Sequence, residues 1–211
     1  APALRRMKCA LTATAIAEGF RDQGKRVLLL MDSLTRFARA AREVYLSIGE
    51  TPVRRGYPPS VLSLLPQLIE RAGNDARGSI TALYTVLVEG DDLDDPLADE
   101  ARGLLDGHVV LSRKLAARGH YPAIDLGQSL SRLQSRLVDD EQRRLAALVR
   151  AQLAIYEEKR DLLLLAGHKP GHDVRLDAAL GCIDRIHAFL QQREDEVSSW
   201  EQTLAGLRKL T

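Results

Sequence analysis

Hydrophobic positions along the chain change their period several times, and each change marks an element. From Ala3 to Gln23 the apolar residues Leu4, Met7, Leu11, Ala15 and Phe20 recur at helical spacing, and Gly24 supplies a stop. Val27-Leu28-Leu29-Leu30-Met31 then runs without a polar interruption, the pattern of a strand buried on both faces. Ser33 to Ile48 returns to the helical period with Arg36, Arg39, Arg42 and Glu43 interleaved, and Gly49 ends it. Pro52, Gly56, Pro58 and Pro59 make 51–60 a loop. A helix over 61–72 follows, with Pro66 expected to kink or break it. Residues 79–89, SITALYTVLVE, are rich in β-branched side chains and predict a second buried strand. An acidic loop, Asp91–Asp95, leads to a helix over 97–105 and a third strand over 108–111. Strands alternating with helices predict an α/β fold with a parallel sheet and flanking helices.

The pattern changes near Asp139. From there to Thr211 the period is helical almost throughout, with one long amphipathic helix over 141–166, broken by Gly167-His168-Lys169-Pro170-Gly171-His172. The expected organisation is therefore an α/β portion over 1–139 and an all-helical domain over 140–211.

Composition narrows the function. The chain has 211 residues, 45% apolar and 28% charged, as expected of a folded globular protein. Thirty Lys plus Arg against 29 Asp plus Glu leave a net charge of +1, which gives no support to nucleic-acid binding or a polybasic membrane surface. No apolar run approaches transmembrane length, and no secretory or lipid-anchor signal is visible at the start. Cys9 and Cys182 are far apart, without metal spacing, and read as buried thiols of a reduced compartment. The five histidines show no ligand spacing: His168 and His172 are i,i+4, but Pro170 and Gly171 deny them a helix.

Asp32 is the first candidate for chemistry, because it stands where the strand 27–31 leaves the sheet. Ligands of open α/β sheets bind outside the carboxyl ends of the strands, so a carboxylate there can manage a metal ion beside a nucleotide. It can equally cap the helix that follows. Arg36, four residues on, falls near the same strand end, and a guanidinium beside a metal-binding carboxylate suits a polyphosphate. The acidic loop lacks the spaced pattern of a calcium site and reads as a solvated loop that caps the helix at Leu97. Tyr121 beside Pro122, in a compact loop at the end of the third strand, offers a flat face for a base. Arg132 follows Ser129-Leu130-Ser131, a polar turn that presents it outward.

These residues sit inside segments that resemble a known family. LLLMDSLTRFARAAREV (28–44), RRGYPPSVLSLLPQLIERAG (54–73), GSITALYTVLVEGDDLDDPLADEARGLLDGHVVLSRKLAARGHYPAID (78–125) and SLSRL (129–133) look like the carboxyl-terminal half of a type III secretion system ATPase. That family is related to flagellar export ATPases and to the catalytic subunits of rotary ATP synthases. The run Thr35–Glu43 leans toward the injectisome branch.

The resemblance implies a RecA-like P-loop NTPase core followed by a helical carboxyl-terminal domain, in a homo-hexamer that binds ATP and Mg²⁺. It implies that Asp32 is the Walker B aspartate, holding Mg²⁺ through water, and that Arg36 lies near the γ-phosphate. It implies that Tyr121 stacks on adenine, with Phe189 as a second aromatic beside the base. Arg132 would be the arginine finger acting on the neighbouring subunit's nucleotide. Implied partners are a stalk coiled-coil protein, a stator or regulator protein and cargo–chaperone complexes, at the cytoplasmic face of the inner-membrane export apparatus. The phosphate-binding GxxxxGK[ST] motif does not occur in these 211 residues, so the chain alone is expected to be inactive. The competing expectation is a non-catalytic interaction module that docks export partners.

Overall fold

The computed structural model describes residues 1–90, 92 and 95–210, with the side chains of 161, 164 and 166 left aside. It divides into two compact units, Ala1–Leu105 and Asp106–Thr211. That division precedes the third predicted strand, whereas the composition changes near 139.

The first unit runs α1 (Ala3–Asp22), β1 (Arg26–Met31), α2 (Leu34–Ser47), α3 (Pro59–Ile69), β2 (Gly73–Asn74), β3 (Ser79–Tyr84) and α4 (Pro96–Leu104). Gly24 adopts φ +81° past the end of α1, and its N–H donates to the Arg21 carbonyl, the left-handed stop that glycine takes most readily. β1 and β3 pair in parallel, from Arg26 opposite Ser79 to Met31 opposite Tyr84, and β2 adds a short antiparallel edge. Helix α3 continues through Pro66 to Ile69. The core gathers Leu34, Phe37, Val61, Leu65, Leu68 and Leu97. A second cluster puts Ala17 of α1 on Leu29 and Ile80. Glu18 of α1 accepts hydrogen bonds from Arg71 at 2.8 and 2.5 Å, tying the helix to the segment after α3.

Three expectations are corrected in this unit. β1 is not buried on both faces: Leu29 is buried, but Leu28 and Leu30 are 60% and 65% exposed, as is Leu83 beside them at 59%. The reason is that α1 packs on the face of Leu29 and Ile80, while the face that carries Leu28, Leu30 and Leu83 stays open among the described residues. The strand predicted over 79–89 stops at Tyr84, because its partner stops at Met31. Beyond it, Thr85 N–H still donates to the Met31 carbonyl, and then Leu34 N–H turns back to the Thr85 carbonyl. Cys9 is exposed on α1, whereas Cys182 is buried.

The second unit comprises β4 (Gly107–Leu111), α5 (Arg113–Ala117), β5 (Ile124–Ser131), α6 (Gln134–Leu137), α7 (Asp140–Ala166), α8 (Val174–Leu190) and α9 (Trp200–Arg208). β4 and β5 pair antiparallel. Ser129-Leu130-Ser131 is therefore strand and not a polar turn; Gly107 faces Ser131 and His108 faces Leu130, and this cross-strand pairing is what the local sequence did not reveal. The helices pack around Val149, Cys182, Ile186 and Leu210. α5 separates the third predicted strand from the Tyr121 loop. No described helix is long and apolar enough to cross a membrane.

Candidate functional site

Asp32 is the residue directly after β1, level with Thr85 directly after β3. The Thr85 hydroxyl donates to Asp32 Oδ1 at 2.8 Å. Asp32 is exposed, and its second carboxylate oxygen has no hydrogen-bond partner among the described residues. The cap of α2 is Ser33: its Oγ accepts from Arg36 N–H at 3.2 Å. Asp32 is thus relieved of capping and points its charge at the mouth of a parallel strand pair, where ligands of α/β sheets collect. Arg36 stands in the first turn of α2, exposed, with no ion pair for its guanidinium among the described residues.

The strand exits are braced by a second threonine. Thr35 Oγ1 accepts from Leu87 N–H at 2.8 Å and donates to the Leu87 carbonyl at 3.3 Å. This locks the segment after β3 to the start of α2, so Asp32 and Thr85 keep their register. Sequence reasoning missed Thr85 and Thr35. Their signal was the parallel register itself, since pairing Met31 with Tyr84 makes Asp32 and Thr85 neighbours. Nearby, Arg39 pairs with Glu89 at 2.8 Å, and the Arg42 guanidinium lies 5.4 Å from the centre of the Tyr57 ring. Burial pushes the Tyr57 phenol above its ordinary value.

The acidic loop is described in part. Asp92 pairs with Arg55 at 2.6 Å, and Asp95 caps α4, accepting from Leu97 and Ala98 N–H. Asp91 and Asp94 lie outside the described residues. Among the described residues, no group of three or more His, Cys, Asp or Glu is placed to hold a metal ion.

In the second unit, Tyr121 is 58% exposed on the loop after α5. It lines a recess of about 560 Å³ with Gly119 and residues 191–196. Gln192 N–H donates to the Tyr121 carbonyl at 2.9 Å, and Gln191 Nε2 meets His120 Nδ1 at 3.3 Å. His120 meets His187 edge-on at 6.0 Å, and His187 meets Tyr156 in the same way. Burial, with the His187 charge adding to it, holds His120 below its ordinary pKa. This line of rings on α7 and α8 backs the Tyr121 loop. Phe189, near the end of α8, is partly buried against Gly206 of α9 and does not line the recess. Arg132 follows β5 directly; it is exposed, and its N–H donates to the Asp106 carbonyl at 2.8 Å. Asp32 and Arg36 therefore belong to one unit, and Tyr121, Arg132 and Phe189 to the other.

Residues 1–131 match the ATP synthase alpha/beta family, nucleotide-binding domain, and residues 138–209 match the T3SS EscN ATPase C-terminal domain. The chain is 54% identical to the type 3 secretion system ATPase of Sinorhizobium fredii, covering 99% of this chain and 46% of that protein. It is 51% identical to the flagellum-specific ATP synthase of Treponema pallidum, with 99% and 46% covered. Among solved structures it is similar to the assembled ATPase EscN of the enteropathogenic E. coli type III secretion system, with TM-score 0.95, 51% identity, and 99% of this chain and 51% of that one covered. The same holds for EscN in complex with its central stalk EscO, with TM-score 0.89, 50% identity, and 99% and 50% covered. The chain spans about half the length of the curated relatives it matches. On these matches, the chain belongs to the ATP synthase alpha/beta family and carries the carboxyl-terminal domain of its type III secretion branch.

Proposed function

We propose that this chain is the carboxyl-terminal half of a hexameric ATPase that energises type III protein secretion, coupling ATP hydrolysis to chaperone release and unfolding of exported proteins. One observation carries the reading: Asp32 leaves a parallel strand end with one oxygen braced by Thr85 and the other without a protein partner. A single exposed carboxylate of this kind suits Mg²⁺, which keeps most of its own waters and takes few protein oxygens. The cation, when bound, neutralises charge on the phosphates. Asp32 holds that hydrated ion, and Arg36 donates to the γ-phosphate end. Tyr121 stacks on adenine in its recess; Phe189, packed against Gly206 of α9 and outside that recess, is not assigned to the base. Arg132 reaches the nucleotide of the neighbouring subunit.

The apolar face of β1 and β3 supports the assignment to a longer protein. Leu28, Leu30 and Leu83 are exposed, while parallel sheets are ordinarily covered on both faces. The missing phosphate-binding motif makes the chain alone inactive. In the complete protein the helical region over 140–211 meets a coiled-coil stalk, a regulator and cargo–chaperone complexes at the cytoplasmic face of the inner membrane. Support for the stalk is the EscN–EscO complex.

A subunit-mixing experiment tests the reading. In the complete protein, Asp32→Asn and Arg132→Ala each abolish Mg²⁺-dependent hydrolysis alone. Mixed in equal parts in one ring, they restore about a quarter of the interfaces, because each working site takes its aspartate and its arginine from different subunits. Activity that stays absent in verified mixed rings overturns the role of Arg132 between subunits.

A further inference from the structure

A second cavity, of about 500 Å³, opens in the Asp106–Thr211 unit on residues of α5, β5, α7 and α8. His120 lines this cavity and Tyr121 lines the other, so consecutive residues serve two separate recesses. The nucleotide reading makes no use of it. Its apolar surface comes from Leu115, Ile124, Leu126, Leu153 and Leu190. That mixture of size and apolar lining with a few convergent polar groups is typical of small-molecule sites.

Four cationic side chains, Lys114, Arg118, Arg150 and Arg160, stand against two carboxylates in the lining. Lys114 and Arg118 line the cavity from exposed positions and have no ion pair among the described residues. Arg150 is partly buried; its Nη1 donates to the carbonyls of Leu126 at 2.6 Å and Ser129 at 3.3 Å, and it has no ion pair among the described residues. The two lining carboxylates are already engaged: Glu157 pairs with Arg160 at 2.9 Å, and Asp125 accepts from the Gln128 side chain at 2.7 Å. His120 is only 6% exposed. With the Gln191 amide donating to Nδ1, the ring proton sits on Nε2, which has no partner among the described residues. That leaves an N–H donor in the wall of an electropositive apolar cavity, a combination that suits an acceptor carrying negative charge.

We propose that this cavity binds a small amphipathic anion, an aromatic or short aliphatic body bearing one carboxylate or phosphate group. The body lies on the leucines, and the head group meets Lys114, Arg118 and Arg150, with His120 Nε2–H as a further donor.

The test is a fluorescence titration of the full chain with naphthoate, naphthyl phosphate and the neutral analogue naphthol. Saturable binding of either anion, with naphthol at least about tenfold weaker, is expected, and the tighter anion identifies the head group. Reversing the exposed pair, Lys114→Glu with Arg118→Glu, weakens the anions by about tenfold or more without lowering Tm. Ala154→Trp, which fills the cavity from α7, removes binding. Tyr121→Ala leaves it unchanged. Three results overturn the proposal: equal binding of naphthol, indifference to the charge reversal, or loss of the probe in Tyr121→Ala, which would put it in the adenine recess. None of these readouts depends on ATP, so the nucleotide assignment stands or falls separately.

Discussion

The Thr85 hydroxyl donates a 2.8 Å hydrogen bond to Asp32 Oδ1 across the ends of two adjacent parallel strands, 53 residues apart in the chain. The bond is made where both strands have just ended, so the backbone register of β1 and β3 fixes where the carboxylate stands. In the proposed role Thr85 fixes the orientation of the group that holds hydrated Mg²⁺. Thr85→Val in the complete protein is expected to lower hydrolysis by about tenfold and to raise the Mg²⁺ concentration needed for half-maximal rate, because outer hydrogen bonds to a ligand tune metal affinity by such factors. Thr85→Ser, which keeps the hydroxyl, restores most of both. Steady-state rates against Mg²⁺ check it; an unchanged Mg²⁺ dependence in Thr85→Val removes Thr85 from the site.

Asp32 and Ser33 divide two tasks that the sequence left joined. Ser33 Oγ caps α2 through Arg36 N–H, and Asp32 does not. Ser33→Ala is therefore expected to cost about 1 kcal/mol of stability. Asp32→Ala, at an exposed position, is expected to stay within about 0.5 kcal/mol. Denaturant titration of the two variants side by side measures the difference. The opposite ranking would return Asp32 to the capping role and remove it from the proposed metal site.

Much of the frame is legible in the amino-acid sequence. α1, β1 and α2 follow from apolar period and from Gly24 and Gly49, which act within a turn of the chain. The position of Asp32 at a strand end followed from that. What stayed hidden depends on partners distant in sequence. The end of β3 at Tyr84 is set by the end of β1, not by its own run of apolar residues. Ser129-Leu130-Ser131 has a turn-like composition but takes strand geometry from β4. Thr85 is an ordinary strand threonine until the register puts it beside Asp32. The exposure of Leu28 and Leu30 reflects what packs on the sheet, which no local pattern states.

The pair between Glu18 and Arg71 makes the first unit sensitive to acid. The Arg71 hydrogen bonds hold the Glu18 carboxyl below its ordinary value of 4.5, with the charges of Arg71 and Arg21 helping and burial opposing. A carboxylate depressed in the folded state contributes stability that is present above its unfolded value and lost as pH falls through the folded one. Glu18→Gln is expected to cost about 2 kcal/mol at neutral pH, as for other partly buried hydrogen bonds to a charged group. The cost should shrink as pH falls below about 4.5, the range in which the wild-type group takes up its proton. Denaturation midpoints across that range check both; a penalty independent of pH would mean that shape, not charge, is what Glu18 provides.

Gly107 connects strand pairing to Arg132. It faces Ser131 across the β4–β5 pair, and a Cβ built on it would stand 2.6 Å from the Leu130 carbonyl oxygen and 3.2 Å from Ser131 Cα. Both are backbone atoms, so no side chain can swing away; the strands must part. Arg132 N–H is bonded to the Asp106 carbonyl, one residue from this contact on each strand, and would shift with it. Gly107→Ala is expected to destabilise the second unit by about 1–3 kcal/mol, the usual cost of overpacking. If Arg132 has the role proposed for it between subunits, the change should reduce hydrolysis in the complete protein more than nucleotide binding. Nucleotide titration and turnover on the same folded sample separate the two effects. Equal losses in both would mean that the pair supports the fold alone and that Arg132 needs no such positioning.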